Sequence, residues 1–82
     1  MIRYMVIEHF FGGRQDKVYE RFASRGRMLP EGLFFIESWL AKDGTHCYQV
    51  METEDISRFD VWVKNWDDLV RFEIIELGDK PV

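Results

Sequence analysis

The pair Asp43-Gly44 constrains the fold of this chain more than any other feature of its sequence. It stands between two strand-like runs, residues 33–41 and 45–53. Asp-Gly in such a position predicts a β-hairpin, because both central residues of the turn must tolerate positive φ. Residues 2–11 and 70–77 have the same apolar, strand-like character. The sequence therefore predicts four strands, of which the second and third pair antiparallel.

Two segments with helical periodicity separate these strands. The first covers residues 15–25, and Gly26 is expected to end it. The second covers residues 56–66 behind a cap at Asp55 or Thr53. The apolar stripe of this second helix consists of Phe59, Trp62, Val63 and Trp66.

The resulting order is β-α-β-β-α-β, which is that of a ferredoxin-like unit. The predicted fold class is therefore α+β, with a four-stranded antiparallel sheet of order 4-1-3-2 and both helices on one face. A single domain is expected over residues 1–82.

Charge and composition argue against several classes of protein. The formal net charge of −4 disfavours nucleic-acid binding, which needs a basic surface. No apolar run approaches membrane-spanning length. Cys47 is the only cysteine, so no internal disulfide can form, and a cytoplasmic location is expected. Seven Phe, three Tyr and three Trp are many for so small a core, so some rings are expected to face a partner or a ligand.

Alternation along each strand divides the predicted sheet into two faces. The set assigned to the helices is almost entirely apolar: Tyr4, Val6, Phe10, Phe34, Ile36, Leu40, Tyr48, Val50, Phe72 and Ile74. The second set is mixed: Met5, Ile7, His9, Phe11, Leu33, Phe35, Glu37, Trp39, Cys47, Gln49, Met51, Arg71, Glu73, Ile75 and Leu77. Because no helix remains to cover the second face, we expect a second copy of the chain to pack against it as a homodimer.

The polar side chains of this second face are expected to meet at one end of the sheet. The candidate catalytic residues are His9, Glu37 and Glu73. The candidate binding residues are Trp39, Cys47, Gln49, Met51, Arg71 and, if its loop folds over, Arg27.

Four interpretations of this cluster remain open. His9 could be a general base oriented by Glu37 or Glu73, or a carboxyl with a raised pKa could act as an acid. His9, Cys47 and a glutamate could bind a metal, although no metal-binding spacing supports this. Cys47 could be a redox-active thiolate beside His9. In the structural interpretation, His9 and the glutamates satisfy one another or pair with Arg71 across an interface, and Cys47 is a small buried hydrophobic side chain.

Two functions fit these observations. The first is a homodimer with a small-molecule pocket over the second face. The second is a structural or regulatory interaction domain without catalytic activity. The sequence names no substrate, reaction or cofactor.

Five segments carry a resemblance to a known family: YMVIEHF (4–10), GRMLPEGL (26–33), ESW (37–39), CYQVME (47–52) and WDDLV (66–70). They resemble a small bacterial family catalogued only as a domain of unknown function, DUF3303. This resemblance implies no activity, since none is known for the family. The topology and the aromatic sheet face are also similar to the dimeric α+β barrel superfamily, which includes heme-degrading and antibiotic-biosynthesis monooxygenases, muconolactone isomerases and stress-responsive proteins. Membership would imply a sheet-to-sheet dimer with a cavity in each subunit.

Overall fold

Six elements in the predicted order form the structure, a computed structural model that describes residues 1–81. The strands are β1 (Ile2–Phe10), β2 (Leu33–Leu40), β3 (His46–Thr53) and β4 (Val70–Glu76), and the helices are α1 (Gln15–Arg25) and α2 (Arg58–Lys64). The prediction of a βαββαβ domain is confirmed. Neither helix is long and apolar enough to span a bilayer, as judged over the described residues.

All four strands form one antiparallel sheet of order β2-β3-β1-β4, which is the predicted 4-1-3-2 order viewed from the other edge. The central strands are therefore β1 and β3. Glu8 lies opposite Cys47 on β3 and opposite Phe72 on β4. This register determines which polar side chains share a face of the sheet.

The core lies between the sheet and α2. Phe59 and Trp62 come from α2, Trp66 comes from the turn that follows it, and all three are buried. The Trp62 ring meets the Phe72 ring edge-on, with centroids 5.0 Å apart. Met51 is completely buried on the side of the sheet that faces these rings. Burial of aromatic and thioether side chains of this size supplies most of the stabilisation available to a domain this small.

The other helix, α1, packs more loosely. Val18 is its buried side chain, whereas Tyr19 and Phe22 are 50% and 43% exposed. The helix ends as predicted at Gly26, which has φ of 68° and donates its N–H to the carbonyl of Phe22 at 2.8 Å. The loose packing leaves space between α1 and the sheet.

The connection between β2 and β3 differs from the predicted turn. Gly44 has a φ of 77°, but Asp43 does not adopt positive φ. Gly44 donates its N–H to the carbonyl of Ala41 at 2.8 Å. Asp43 Oδ1 accepts from the N–H and the hydroxyl of Thr45 at 3.0 and 2.7 Å. Asp43 therefore stabilises the turn through its side chain rather than through a left-handed backbone.

The second helix is shorter than predicted, because the residues before Arg58 form turns instead of helix. Thr53 Oγ1 accepts from the N–H of Asp55 at 3.1 Å, and Asp55 Oδ1 accepts from the N–H of Ser57 at 2.9 Å. Ser57, at the N-cap, makes no capping hydrogen bond with its own side chain. The predicted cap at Asp55 or Thr53 was therefore wrong.

The predicted faces hold for β1 and β4 and were wrong for β3. Gln49, Met51 and Thr53 are buried on the helix side, whereas Tyr48 and Val50 lie on the opposite face. Thr53 is tolerated inside because its hydroxyl is hydrogen-bonded: Thr53 Oγ1 donates to the carbonyl of Gly32 at 2.8 Å.

In β2, a bulge between Phe35 and Glu37 interrupts the alternation. Before the bulge, Leu33 and Phe35 face the helices and Phe34 faces away, which reverses the prediction. After it, Glu37 and Trp39 face away from the helices as predicted. One extra residue in a strand inverts its alternation, and the residue pattern of β2 does not reveal it.

Candidate functional site

A cavity of about 280 Å³ lies between the sheet and the two helices, and we call it the helix-side cavity. Its apolar walls are Phe10, Val18, Tyr19, Phe22, Leu40, Trp62 and Trp66. Its polar side chains are Glu8, Arg27, Ser38, Cys47 and Gln49. The volume is just below the range of roughly 300–1,000 Å³ that is typical of ligand sites. The predicted pocket was on the other side of the sheet.

Glu8 and Gln49 lie side by side on the sheet wall of the helix-side cavity. Alternation along β1 and β3 directs both toward the helices, where Glu8 is 7% and Gln49 3% exposed. Gln49 Nε2 donates to Glu8 Oε1. Among residues 1–81, Gln49 Oε1 is buried without a hydrogen-bond partner. A buried carboxyl and a half-satisfied amide reduce stability, so packing alone does not account for them.

The protonation of Glu8 follows from its surroundings. Burial raises the pKa of the Glu8 carboxyl, while hydrogen bonds from Gln49 and Cys47 and the charge of Arg27 act in the opposite direction. A carboxyl with a raised pKa can hold a proton closer to neutral pH and release it to a bound molecule. Glu8 is therefore the acid–base candidate of this cavity.

Cys47 lies opposite Glu8 in the sheet and also lines the helix-side cavity. Burial raises the pKa of the Cys47 thiol to about 11, and the charge of Glu8 adds to this effect. The thiol therefore stays protonated at neutral pH and is a poor nucleophile. Because His9 is on the other face, the predicted metal and redox groupings of Cys47 with His9 do not form. Within residues 1–81, no three His, Cys, Asp or Glu side chains are arranged as metal ligands.

Arg27 reaches the helix-side cavity from the loop after α1. Its guanidinium lies 3.6 Å from the centroid of the Phe35 ring and 5.1 Å from that of Phe22. The indole N–H groups of Trp62 and Trp66 both donate to the Arg27 carbonyl, at 3.0 and 3.1 Å. These contacts hold the loop at the cavity and place a cation beside it.

The opposite side of the sheet, which we call the helix-free face, consists of Met5, Ile7, His9, Phe34, Glu37, Trp39, His46, Tyr48, Val50, Arg71, Glu73 and Ile75. Several of its large apolar side chains are exposed, including Trp39 at 50% and Ile75 at 47%. Exposure of several large apolar side chains on one face is typical of an interaction surface.

Three of the predicted polar residues meet on the helix-free face. His9 Nε2 shares a hydrogen bond with Glu73 Oε1, and Arg71 Nη1 lies 3.9 Å from the same oxygen. Glu37 is on the same face, but its strand is separated from β1 by β3. Glu73 is thus the carboxylate that orients His9. The role of His9 as a general base stays a prediction.

The predicted site residues are divided between the two faces. Arg27, Cys47, Gln49 and Met51 are on the helix side, and His9, Glu37, Trp39, Arg71 and Glu73 are on the helix-free face.

Sequence reasoning missed three contributors. Glu8 was detectable, because a carboxylate that alternates with Tyr4 and Val6 falls on the buried side of β1. Ser38 lines the helix-side cavity from β2. His46 contacts the His9 ring edge-on, with centroids 4.5 Å apart. That contact depends on the β1–β3 register, for which the sequence carries no local signal.

The sequence profile of one protein family, "Domain of unknown function (DUF3303)", matches residues 2–77. The chain belongs to this family. Among curated protein sequences, none matches the DUF3303 chain significantly.

The fold is similar to that of a solved structure described as "Crystal structure of antibiotic biosynthesis monooxygenase". The two chains align with a TM-score of 0.61 at 14% sequence identity, covering 99% of this chain and 100% of that chain. The likeness confirms the ferredoxin-like fold that the sequence predicted. At this identity it establishes nothing about activity, because one fold hosts many functions.

Proposed function

We propose that this DUF3303 domain binds a small, largely apolar molecule in the helix-side cavity. The observation that carries the proposal is the buried Glu8–Gln49 pair on the wall of a cavity that is otherwise mostly aromatic. Ligand sites usually combine an apolar lining with a few convergent polar groups and a perturbed pKa. Glu8 supplies the perturbed group, and Arg27 and Ser38 are further polar contacts.

The size of the helix-side cavity limits the ligand. An apolar cavity of roughly 150 Å³ accommodates a benzene molecule. A cavity of about 280 Å³ therefore suits a compound with one or two rings. If the domain is an enzyme, Glu8 is the residue best placed to exchange a proton with such a compound.

The three tryptophans provide a direct test, because they report on different sides of the sheet. Trp62 and Trp66 line the helix-side cavity, whereas Trp39 is on the helix-free face. Proton–nitrogen correlation spectra would be recorded during titration with para-cresol, para-methylanisole and para-toluate. We expect the indole signals of Trp62 and Trp66 to shift while that of Trp39 stays. Shifts confined to Trp39, or none with any probe, would contradict the proposal.

A pair of variants sharpens this test. Val18→Phe enlarges a buried residue of the cavity wall, and Val61→Phe makes the same change at an exposed position of α2. Val18→Phe should abolish the indole shifts, whereas Val61→Phe should leave them unchanged.

We further propose that two copies associate through the helix-free face. Its exposed Trp39, Tyr48 and Ile75 support this, since apolar patches on a small domain are usually covered by a partner. Sedimentation velocity should detect a dimer that Trp39→Glu converts to monomer. Val61→Glu, which places the same charge on the exposed side of α2, should stay dimeric. A monomeric parent protein at high concentration would exclude the dimer.

The second candidate function is a structural or regulatory interaction domain without catalysis. The His9–Glu73 pair favours it, because a hydrogen-bonded polar pair within an exposed apolar face is typical of an interface that specifies one partner. In that case, His9→Ala would weaken self-association and leave probe binding in the helix-side cavity unchanged.

A further inference from the structure

Gln49 indicates which ligand chemistry the helix-side cavity favours. Gln49 is only 3% exposed, and its Oε1 has no hydrogen-bond partner among residues 1–81. A buried acceptor without a donor costs roughly 1–3 kcal/mol. A ligand that brings a donor to this oxygen recovers that free energy on binding.

Glu8 determines which end of the Gln49 amide lacks a partner. The amide nitrogen donates to Glu8 Oε1, whereas the amide oxygen is buried without a donor among residues 1–81. Ser38 is the cross-strand neighbour of Gln49 and also lines the helix-side cavity, but its hydroxyl does not satisfy this oxygen. The missing group is therefore a hydrogen-bond donor.

The other walls restrict the body and the charge of the ligand. The aromatic rings of Phe10, Tyr19, Phe22, Trp62 and Trp66 favour a planar ring. Two features disfavour a carboxylate: an acceptor oxygen and a carboxyl group lie on the same wall of the cavity. The guanidinium of Arg27 stacks on the Phe35 ring, and its charge acts on the carboxyl of Glu8.

We infer that the helix-side cavity takes a neutral aromatic alcohol of the phenol class, whose hydroxyl donates to Oε1 of Gln49. This inference rests on the proposed function and adds the chemical class of the ligand to it. It assigns Gln49 as a specificity-determining contact.

The three probes named above separate the inference from the proposed function. They share a methyl-substituted ring and differ only in the second group: para-cresol offers a hydroxyl donor, para-methylanisole an ether without a donor, and para-toluate an anion. Calorimetry or spectral titration should give para-cresol about tenfold tighter binding than para-methylanisole, as one satisfied buried acceptor predicts. Para-toluate should bind most weakly.

Each other outcome overturns a specific step. Equal affinity for para-cresol and para-methylanisole, with shifts at Trp62 and Trp66, would overturn the inference and leave the proposed function standing. Tightest binding of para-toluate would overturn the inference in favour of an anion site. Failure of all three probes to bind at millimolar concentration would overturn the proposed function, and the inference with it.

A pair of glutamine variants provides the matched control. Gln49→Met keeps an unbranched side chain and removes the amide oxygen, so the preference for para-cresol over para-methylanisole should fall from about tenfold to none. Gln15→Met makes the same substitution at the start of α1, outside the lining of the helix-side cavity, so it should keep the preference. An unchanged preference in Gln49→Met would overturn the inference, and the comparison of probes in the parent protein decides it even if that variant fails to fold.

Discussion

The two faces of this sheet contain similar side chains but bury them differently. On the helix side, Met51 is completely buried and polar Gln49 is nearly so. On the helix-free face, Trp39 and Ile75 are about half exposed. The difference arises because the helices cover only one side of the sheet. Polarity is therefore a poor guide to burial in this domain: the helix side holds the buried carboxyl and amide, and the helix-free face holds exposed rings.

The largest expected effect comes from two methionines on adjacent strands. Met51 is buried on the helix side of β3, and Met5 is partly buried on the helix-free side of β1. Met51→Ala should lower the free energy of unfolding by about 2–5 kcal/mol because it leaves a cavity in a packed core. Met5→Ala should cost well under half as much in monomeric protein. Denaturant unfolding at low protein concentration measures both, and equal losses would mean that the helix-free face is also a packed core.

A smaller effect is expected from Glu8 and depends on pH. Its pKa is raised by burial from a value of 4.5, so the native state holds this proton more tightly than the unfolded state does. The stabilisation is complete below pH 4.5 and is lost as pH rises through the raised pKa. Glu8→Gln should therefore have a higher free energy of unfolding than the parent at neutral pH, and the difference should close in acid. Parallel pH profiles of the two proteins would contradict this.

The smallest effect is expected at Asp68, where the sign is opposite. Arg21 donates to both carboxylate oxygens of Asp68 at 2.8 Å and holds the pKa of that carboxyl at about 2. Stability from this pair is present above pH 3.8 and is lost as pH falls toward 2. Because the pair is exposed, Asp68→Asn should cost only about 0.2–1 kcal/mol at neutral pH. Thermal unfolding of Asp68→Asn measures this cost, and the exposed neighbour variant Asp67→Asn is the control. A loss of stability that occurs only at alkaline pH would contradict the role of the Arg21–Asp68 pair.

Much of the fold could be predicted because its signals are local. The turn at Asp43-Gly44, the helical stripe around Trp62 and the glycine stop at Gly26 depend on nearby residues. All three lie at the predicted positions, although Asp43 lacks the predicted positive φ and α2 is shorter than predicted. The hairpin also carried information about the site. A turn centred on Asp43-Gly44 brings Leu40 opposite Cys47, as observed, and so assigns both residues to one face.

The candidate site depended on features that local patterns do not contain. The bulge between Phe35 and Glu37 inverts the alternation of β2, and the pairing of β1 with β3 brings Glu8 beside Cys47. A shift of one residue in either would move these side chains to the opposite face.

The sequence by itself determined the order of elements, the strand bounds to within one residue and the presence of an uncovered sheet face. Only the tertiary structure decided that Gln49 and Cys47 join Glu8 beneath the helices while His9 pairs with Glu73 on the other side. The physical reason is that turns and helix stripes depend on neighbours along the chain. The face on which a polar side chain lies depends instead on strand register and on hydrogen bonds between residues distant in sequence, which allow Gln49 to be buried in place of an apolar side chain.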